Sequence, residues 1–131
     1  MNMDAVHAGI YGDANFMNLK EISLNDVRRE VGMLLVNGEI VGQAFQTVRD
    51  QVIFTNKRVI VINVQGITGK KISYFSYPYS KVQYFGIETA GLLDIDSELV
   101  LIFSNGACVK FDFKTQVDIR AICGNISNYV L

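Results

Sequence analysis

A chain of 131 residues, half of them hydrophobic and 19% charged, has the balance of one globular domain and is long enough to bury a core without covalent staples. Twelve basic residues stand against thirteen acidic ones, and a formal net charge of −1 excludes a global field that would favour nucleic acid or an anionic membrane. Cys108 and Cys123 lie fifteen residues apart, neither a metal-binding nor a redox spacing; they read as free thiols, and the cytoplasm is the expected location.

Residues 1–22 read as a leader segment, and residues 23–131 as a single domain. Met1 to Lys20 is punctuated by Gly9, Gly12 and Asn15, keeps no sustained period, and would pack through Ile10, Phe16 or Leu19. Its start has neither the basic flank nor the continuous apolar run of a secretion signal. No window of the chain approaches the ~18 apolar residues that span a bilayer. Ser23-Leu24-Asn25-Asp26 looks like a helix start, with a capping hydroxyl and an acid in the positive first turn. Leu24, Val27, Val31, Leu34 and Leu35 follow at spacings of three and four, which predicts an amphipathic helix over 23–36, ended by Asn37-Gly38.

The pattern then changes to period two. Glu39 to Val48, Asp50 to Thr55, Arg58 to Val64 and Lys71 to Tyr77 read as strands, joined at Asn56-Lys57 and at Gln65-Gly66-Ile67-Thr68-Gly69. Ser80 to Thr89 follows, with Val82, Tyr84 and Gly86 alternating against Gln83, Phe85 and Ile87. Ser97 to Ser104 and Ala107 to Phe113 are the last two strands, and Asn105-Gly106 between them predicts a type I′ hairpin with positive φ at both positions. From Thr115 to Val130 the period is helical, with Ile119, Ile122, Cys123, Ile126 and Val130 in one stripe. Helix, seven strands and helix predict a mainly β fold, a closed or nearly closed sheet with a helix across one opening.

Several pieces in this order carry a resemblance: Arg49-Asp50, Phe54-Thr55-Asn56-Lys57-Arg58, Gln65-Gly66-Ile67-Thr68-Gly69-Lys70-Lys71, Pro78-Tyr79, Glu88-Thr89-Ala90-Gly91 and Asp94-Ile95-Asp96-Ser97-Glu98-Leu99. From about Ser23 to the C-terminus, and most strongly between Arg49 and Leu101, the chain resembles the bacterial pleckstrin-homology domain family. The resemblance implies a seven-stranded barrel of two nearly orthogonal antiparallel sheets, of four and three strands, plugged by the C-terminal helix. It also implies ring-like homo-oligomers, and it leaves the biochemical role open.

Motifs for chemistry are weak. His7 is the sole histidine and lies in the leader, so a Ser-His-Asp or Cys-His arrangement would need it to fold back across the domain. Asp94-x-Asp96-x-Glu98 lines three carboxylates along an extended segment, but a calcium loop also needs a glycine and a later glutamate that are missing. Gly66-Ile67-Thr68-Gly69-Lys70-Lys71 fails the phosphate-loop spacing and reads as a turn. No enzyme, cofactor or metal site is therefore expected.

What does stand out is apolar character on both sides of two strands. Arg58 to Val64 sets Val59 and Val61 against Ile60, Ile62 and Val64; Ser97 to Ser104 sets Leu99, Leu101 and Phe103 against Val100 and Ile102. One face fills the barrel and the other needs a cover, supplied by the N-terminal helix or by a neighbouring subunit. The leading expectation is a non-enzymatic interaction or scaffolding module that assembles as a homo-oligomer, with itself, and secondarily another protein, as partner. Its candidate polar contacts are Arg49, Asp50, Lys57, Arg58, Asp94, Asp96 and Glu98. The alternative is an anionic ligand or lipid headgroup held by Arg49, Lys70 and Lys71 at an open end shared by the turns near Arg49, Lys70 and Asn105. Asp50 stands beside Arg49 to neutralise it and the first loop lacks a basic cluster, so headgroup binding ranks second.

Overall fold

The computed structural model describes residues 12–89, 97–114 and 117–131. Eight strands form one strongly bent sheet: β1 (Ala14–Ile22), β2 (Val41–Gln46), β3 (Gln51–Thr55), β4 (Arg58–Gln65), β5 (Lys71–Pro78), β6 (Val82–Thr89), β7 (Ser97–Phe103) and β8 (Cys108–Phe113). Their spatial order is β5-β4-β3-β2-β1-β8-β7-β6, which places β5 and β6 outermost. The two are joined by a 3-10 turn, Tyr79–Lys81, against which the C-terminal helix packs. The result is a half-barrel, mainly β, with that helix on its concave side.

The expected leader supplies the strand that joins the two halves of the sheet. β1 pairs antiparallel with β2 and parallel with β8, and Leu19 is fully buried. Its period was hidden by a bulge. Phe16 faces Phe111 and Leu19 faces Phe113, so three steps on one strand match two on the other. Asn18 absorbs the extra residue at φ +60°, a conformation asparagine tolerates better than most residues.

The predicted helix over 23–36 is a second correction. Ser23 caps a 3-10 turn, Leu24–Asp26, and only Val31–Leu34 (α1) is α-helical. The reason lies in β3. The Gln51 side chain accepts from the Arg28 amide at 3.0 Å and donates to the Asp26 carbonyl at 2.9 Å. In a continuous helix the Arg28 amide would bond to the carbonyl of Leu24 and the Asp26 carbonyl to the amide of Glu30. Tertiary partners have replaced helical ones, and Leu24 and Leu34 remain exposed.

The arm nevertheless performs the expected covering. Val31, with Val27 and Leu35 beside it, packs on Ala44, Ile53, Ile60 and Ile62, a second apolar cluster on the convex side of β2–β4. The main core lies on the concave side. Phe45, Phe54, Phe111 and Phe113 pack ring against ring with centroids 4.7–5.9 Å apart, the range of favourable aromatic pairs. The C-terminal helix α2 (Ile119–Val130) closes this core with Ile122 and Ile126, starting at Asp118, whose carboxylate accepts from the Ala121 amide. Its predicted stripe is the one that packs.

Two local expectations fail by one residue. A bulge between Val82 and Tyr84 puts Val82 and Phe85 on the core side together, against the strict alternation read from sequence. At the β7–β8 turn only Gly106 has positive φ, +88°. The Gly106 amide donates to the Phe103 carbonyl and the Ala107 amide to the Asn105 side chain. That is the longer hairpin loop with a glycine bulge, in place of a type I′ turn.

Candidate functional site

Four of the candidate polar residues are held by the fold itself. The Arg49 guanidinium donates to the carbonyls of Gly66 (2.6 Å) and Val64 (2.9 Å), clamping the β4–β5 turn from the β2–β3 loop. Asp50 works from the same loop: its carboxylate accepts from the Val64 amide at 2.8 Å and the Asn63 side chain at 3.0 Å. Lys57 donates to the Tyr129 hydroxyl at 2.8 Å and lies over that ring, 5.5 Å from its centre, tying the β3–β4 turn to α2.

Arg58 is the most heavily engaged. Its Nε and Nη2 bond both oxygens of Glu39, at 2.8 and 2.9 Å, in a two-pronged ion pair. Its remaining donors reach the Ser76 hydroxyl and the Leu34 carbonyl. Glu39, whose side chain is wholly buried, also accepts from the Thr55 hydroxyl (2.7 Å) and the Val36 amide (3.1 Å). Burial pushes the Glu39 carboxyl pKa up, but the bonds from Arg58, Thr55 and Val36 outweigh it and leave the pKa below the usual range. This cluster fastens the N-terminal arm to the β3–β4 hairpin. Sequence reasoning missed Glu39 because it follows a polar turn and resembles any solvated acid.

Lys70 and Lys71 are exposed at the end where Arg49 grips the β4–β5 turn. The Asn105 turn does not share that end. It lies beside Pro78 and Lys81, and the Ser104 amide donates to the Lys81 carbonyl. Since Pro78 pairs with Arg58 and Lys71 with Gln65, Asn105 sits at the opposite end of the β4–β5 pair from Lys71. Asp94 and Asp96 lie outside the described residues, as does His7. Glu98 lies on β7 with its carboxylate 3.8 Å from Lys110 of β8.

The feature left over is a face. While the arm covers the convex side of β2–β4, Val100 and Ile102 on the convex side of β7 stay half-exposed. Tyr84, paired with Ile102 on the outermost strand β6, is 61% exposed, and Gly86 is paired with Val100. They line a shallow apolar groove of about 300 Å³ along this edge strand, which Ile87, paired with the core residue Leu99, borders from the other face. Glu88 is the charged residue of its lining, and the Glu98–Lys110 ion pair lies on β7 and β8 next to it. Here sequence did give the signal, through apolar residues on both faces of one strand.

A family model described as Bacterial PH domain matches residues 11–130. The chain belongs to the bacterial PH domain family. Within curated proteins it is similar to Uncharacterized protein YjqA of Bacillus subtilis (strain 168), 45% identical over 107 residues covering 80% of this chain and 86% of that one. It is also similar to Uncharacterized protein YozO of the same organism, 28% identical over 81% of this chain and 91% of that one. Among solved structures, a DUF1696 family protein with a pleckstrin-homology domain from Shewanella loihica superposes with a TM-score of 0.71 at 38% identity, covering 88% of this chain and 99% of that one. A pleckstrin homology domain from Shewanella amazonensis superposes with a TM-score of 0.58 at 36% identity, covering 98% of both. The PH fold expected from the sequence is thus the fold observed. Its sheet carries an additional strand, β1, and no helix of the described residues is long and apolar enough to cross a membrane.

Proposed function

We propose that this PH domain is a non-enzymatic interaction or scaffolding module of the cytoplasm that assembles with copies of itself into a closed ring. The observation that carries this reading is the half-exposed apolar strip of Tyr84, Val100 and Ile102 beside edge strand β6, on a protein whose other convex face is covered by its own arm. An apolar strip continuous with an outermost strand is a poor surface for a lone protein in water and a good one for strand-to-strand association. A heterologous contact of this kind closes into a ring when the rotation between copies permits. The free thiols Cys108 and Cys123 support a reducing compartment. Light scattering coupled to size exclusion tests the assembly: a mass several times 14.6 kDa at micromolar concentration is the expected result, and a mass of 14.6 kDa overturns it.

A second reading, binding of an anionic ligand at the end that carries Lys70 and Lys71, draws on the exposure of those two lysines. Arg49 contributes less than its charge suggests, because two of its guanidinium nitrogens already serve the Gly66 and Val64 carbonyls. Sedimentation with anionic vesicles at low salt separates the readings. Pelleting lost on reversal of both lysines to glutamate supports the ligand, and no pelleting removes it.

A further inference from the structure

Two tight turns project from the end of the half-barrel that carries Lys70 and Lys71. In the β2–β3 turn the Thr47 amide donates to the Asp50 carbonyl at 3.0 Å, and in the β4–β5 turn the Gly69 amide donates to the Gly66 carbonyl at 3.2 Å. Val48 and Ile67 lie inside the loops so closed; Val48 is 95% exposed and Ile67 fully exposed. Arg49 holds the two tips together, since the residue after Val48 donates at 2.6 Å to the carbonyl of the residue before Ile67. Turn chemistry favours glycine, proline, asparagine, aspartate or serine at such positions, so the fold itself gives no reason for a branched apolar side chain at either tip.

The charge around these tips is positive. Residues 46–50 and 65–71 hold Arg49, Lys70 and Lys71 against one acid, Asp50, whose carboxylate already accepts from the Val64 amide and the Asn63 side chain. Lys20, exposed on β1 and paired with Gln46, adds a further cation, and a hollow of about 410 Å³ lined by Lys20, Ile22 and Val48 among others adjoins the β2–β3 tip. A chain of net charge −1 thus gathers cations at one end, around two protruding apolar residues. A soluble anion would use the lysines and leave Val48 and Ile67 in water. An anionic bilayer uses both, since branched side chains enter the boundary between headgroups and acyl chains while lysines meet the lipid phosphates at its surface. We infer that the β2–β3 and β4–β5 tips dock on an anionic lipid surface, with Val48 and Ile67 inserted and Lys20, Lys70 and Lys71 on the headgroups. This rests on the anionic-ligand reading above and deepens it, by naming the ligand as a membrane surface and adding the residues that enter it.

Sedimentation with vesicles of mixed phosphatidylcholine and phosphatidylserine tests it, comparing the native chain with its Val48→Ser, Ile67→Ser variant, and circular dichroism checks that both are folded. The expected result is pelleting of the native chain and a vesicle partition at least about tenfold weaker for the variant, whose lysines are intact. The chain has no tryptophan, so Ile67→Trp supplies a single reporter, whose emission should shift to the blue on adding vesicles and be quenched by brominated lipid. Equal pelleting of the native chain and the serine variant, or a tryptophan unmoved by vesicles that do pellet the protein, overturns the insertion while leaving the lysine-bound anion standing. No pelleting of the native chain overturns both. A change of mass in light scattering for the serine variant without lipid also overturns the inference, since the tips would then be covered by a second copy.

Discussion

Replacing Glu39 with alanine tests the clasp that holds the N-terminal arm. Glu39 accepts four hydrogen bonds, two from Arg58 and one each from Thr55 and Val36, with a side chain sealed from solvent. Removing one partner of a buried pair costs roughly 3–5 kcal/mol, because the other charge is left without compensation. Arg58 keeps 18% of its side chain exposed and two further acceptors, in Ser76 and Leu34, which brings the expected loss to about 2–4 kcal/mol. Against a domain stability of about 5–15 kcal/mol, that is a large fraction. Urea denaturation followed by circular dichroism measures it, and hydrogen exchange should show the amides of residues 24–36 losing protection first. The pH dependence has a definite sign. Because the folded pKa of Glu39 is lowered, its contribution is present above the ordinary glutamate pKa, about 4.3, and is lost as pH falls through the folded value. Glu39→Gln should flatten that part of the acid limb. A destabilisation under about 1 kcal/mol for Glu39→Ala, with the arm equally protected, would refute the account of the clasp.

Three further changes probe separate parts of the fold. Ile60→Ala opens a void beneath Val31 in the convex cluster and should cost about 2–5 kcal/mol by denaturant titration, with the arm detaching at lower urea. Tyr79→Phe removes the hydroxyl that donates to the buried Thr55 carbonyl at 2.8 Å, for a loss of about 1–2 kcal/mol measured the same way. Gly106→Ala should cost about 1 kcal/mol in thermal unfolding, because a Cβ there meets no neighbour and the strain of φ +88° is the whole effect.

Much of the sheet was legible because its residues obey local rules. Val, Ile and Phe at period two marked β2–β5, β7 and β8, and the stripe of Ile119, Ile122 and Ile126 marked α2. What escaped was decided at a distance. β1 was hidden because Asn18 breaks its period, and the pairing that makes it a strand lies nearly a hundred residues away on β8. The arm's helical spacing was real, but Gln51 of β3 competes for its backbone groups, a contact that periodicity cannot register. Arg49 and Arg58 looked like surface cations because charge says nothing about which carbonyl or carboxylate will face it. The exposed strip was half legible: two-sided strands announced that covers were needed, and only the fold shows that the arm covers Ile60 and Ile62 and leaves Val100 and Ile102 half-exposed.

Sedimentation of the native chain beside its Val100→Glu, Ile102→Glu variant tests the central claim most directly. Both side chains are half-exposed on the convex face, so the charges can be tolerated by a single copy while being unfavourable in an apolar seam. The account predicts a native species several times heavier than 14.6 kDa and a folded variant at 14.6 kDa. Two species of the same mass, whether both assembled or both single, would contradict it.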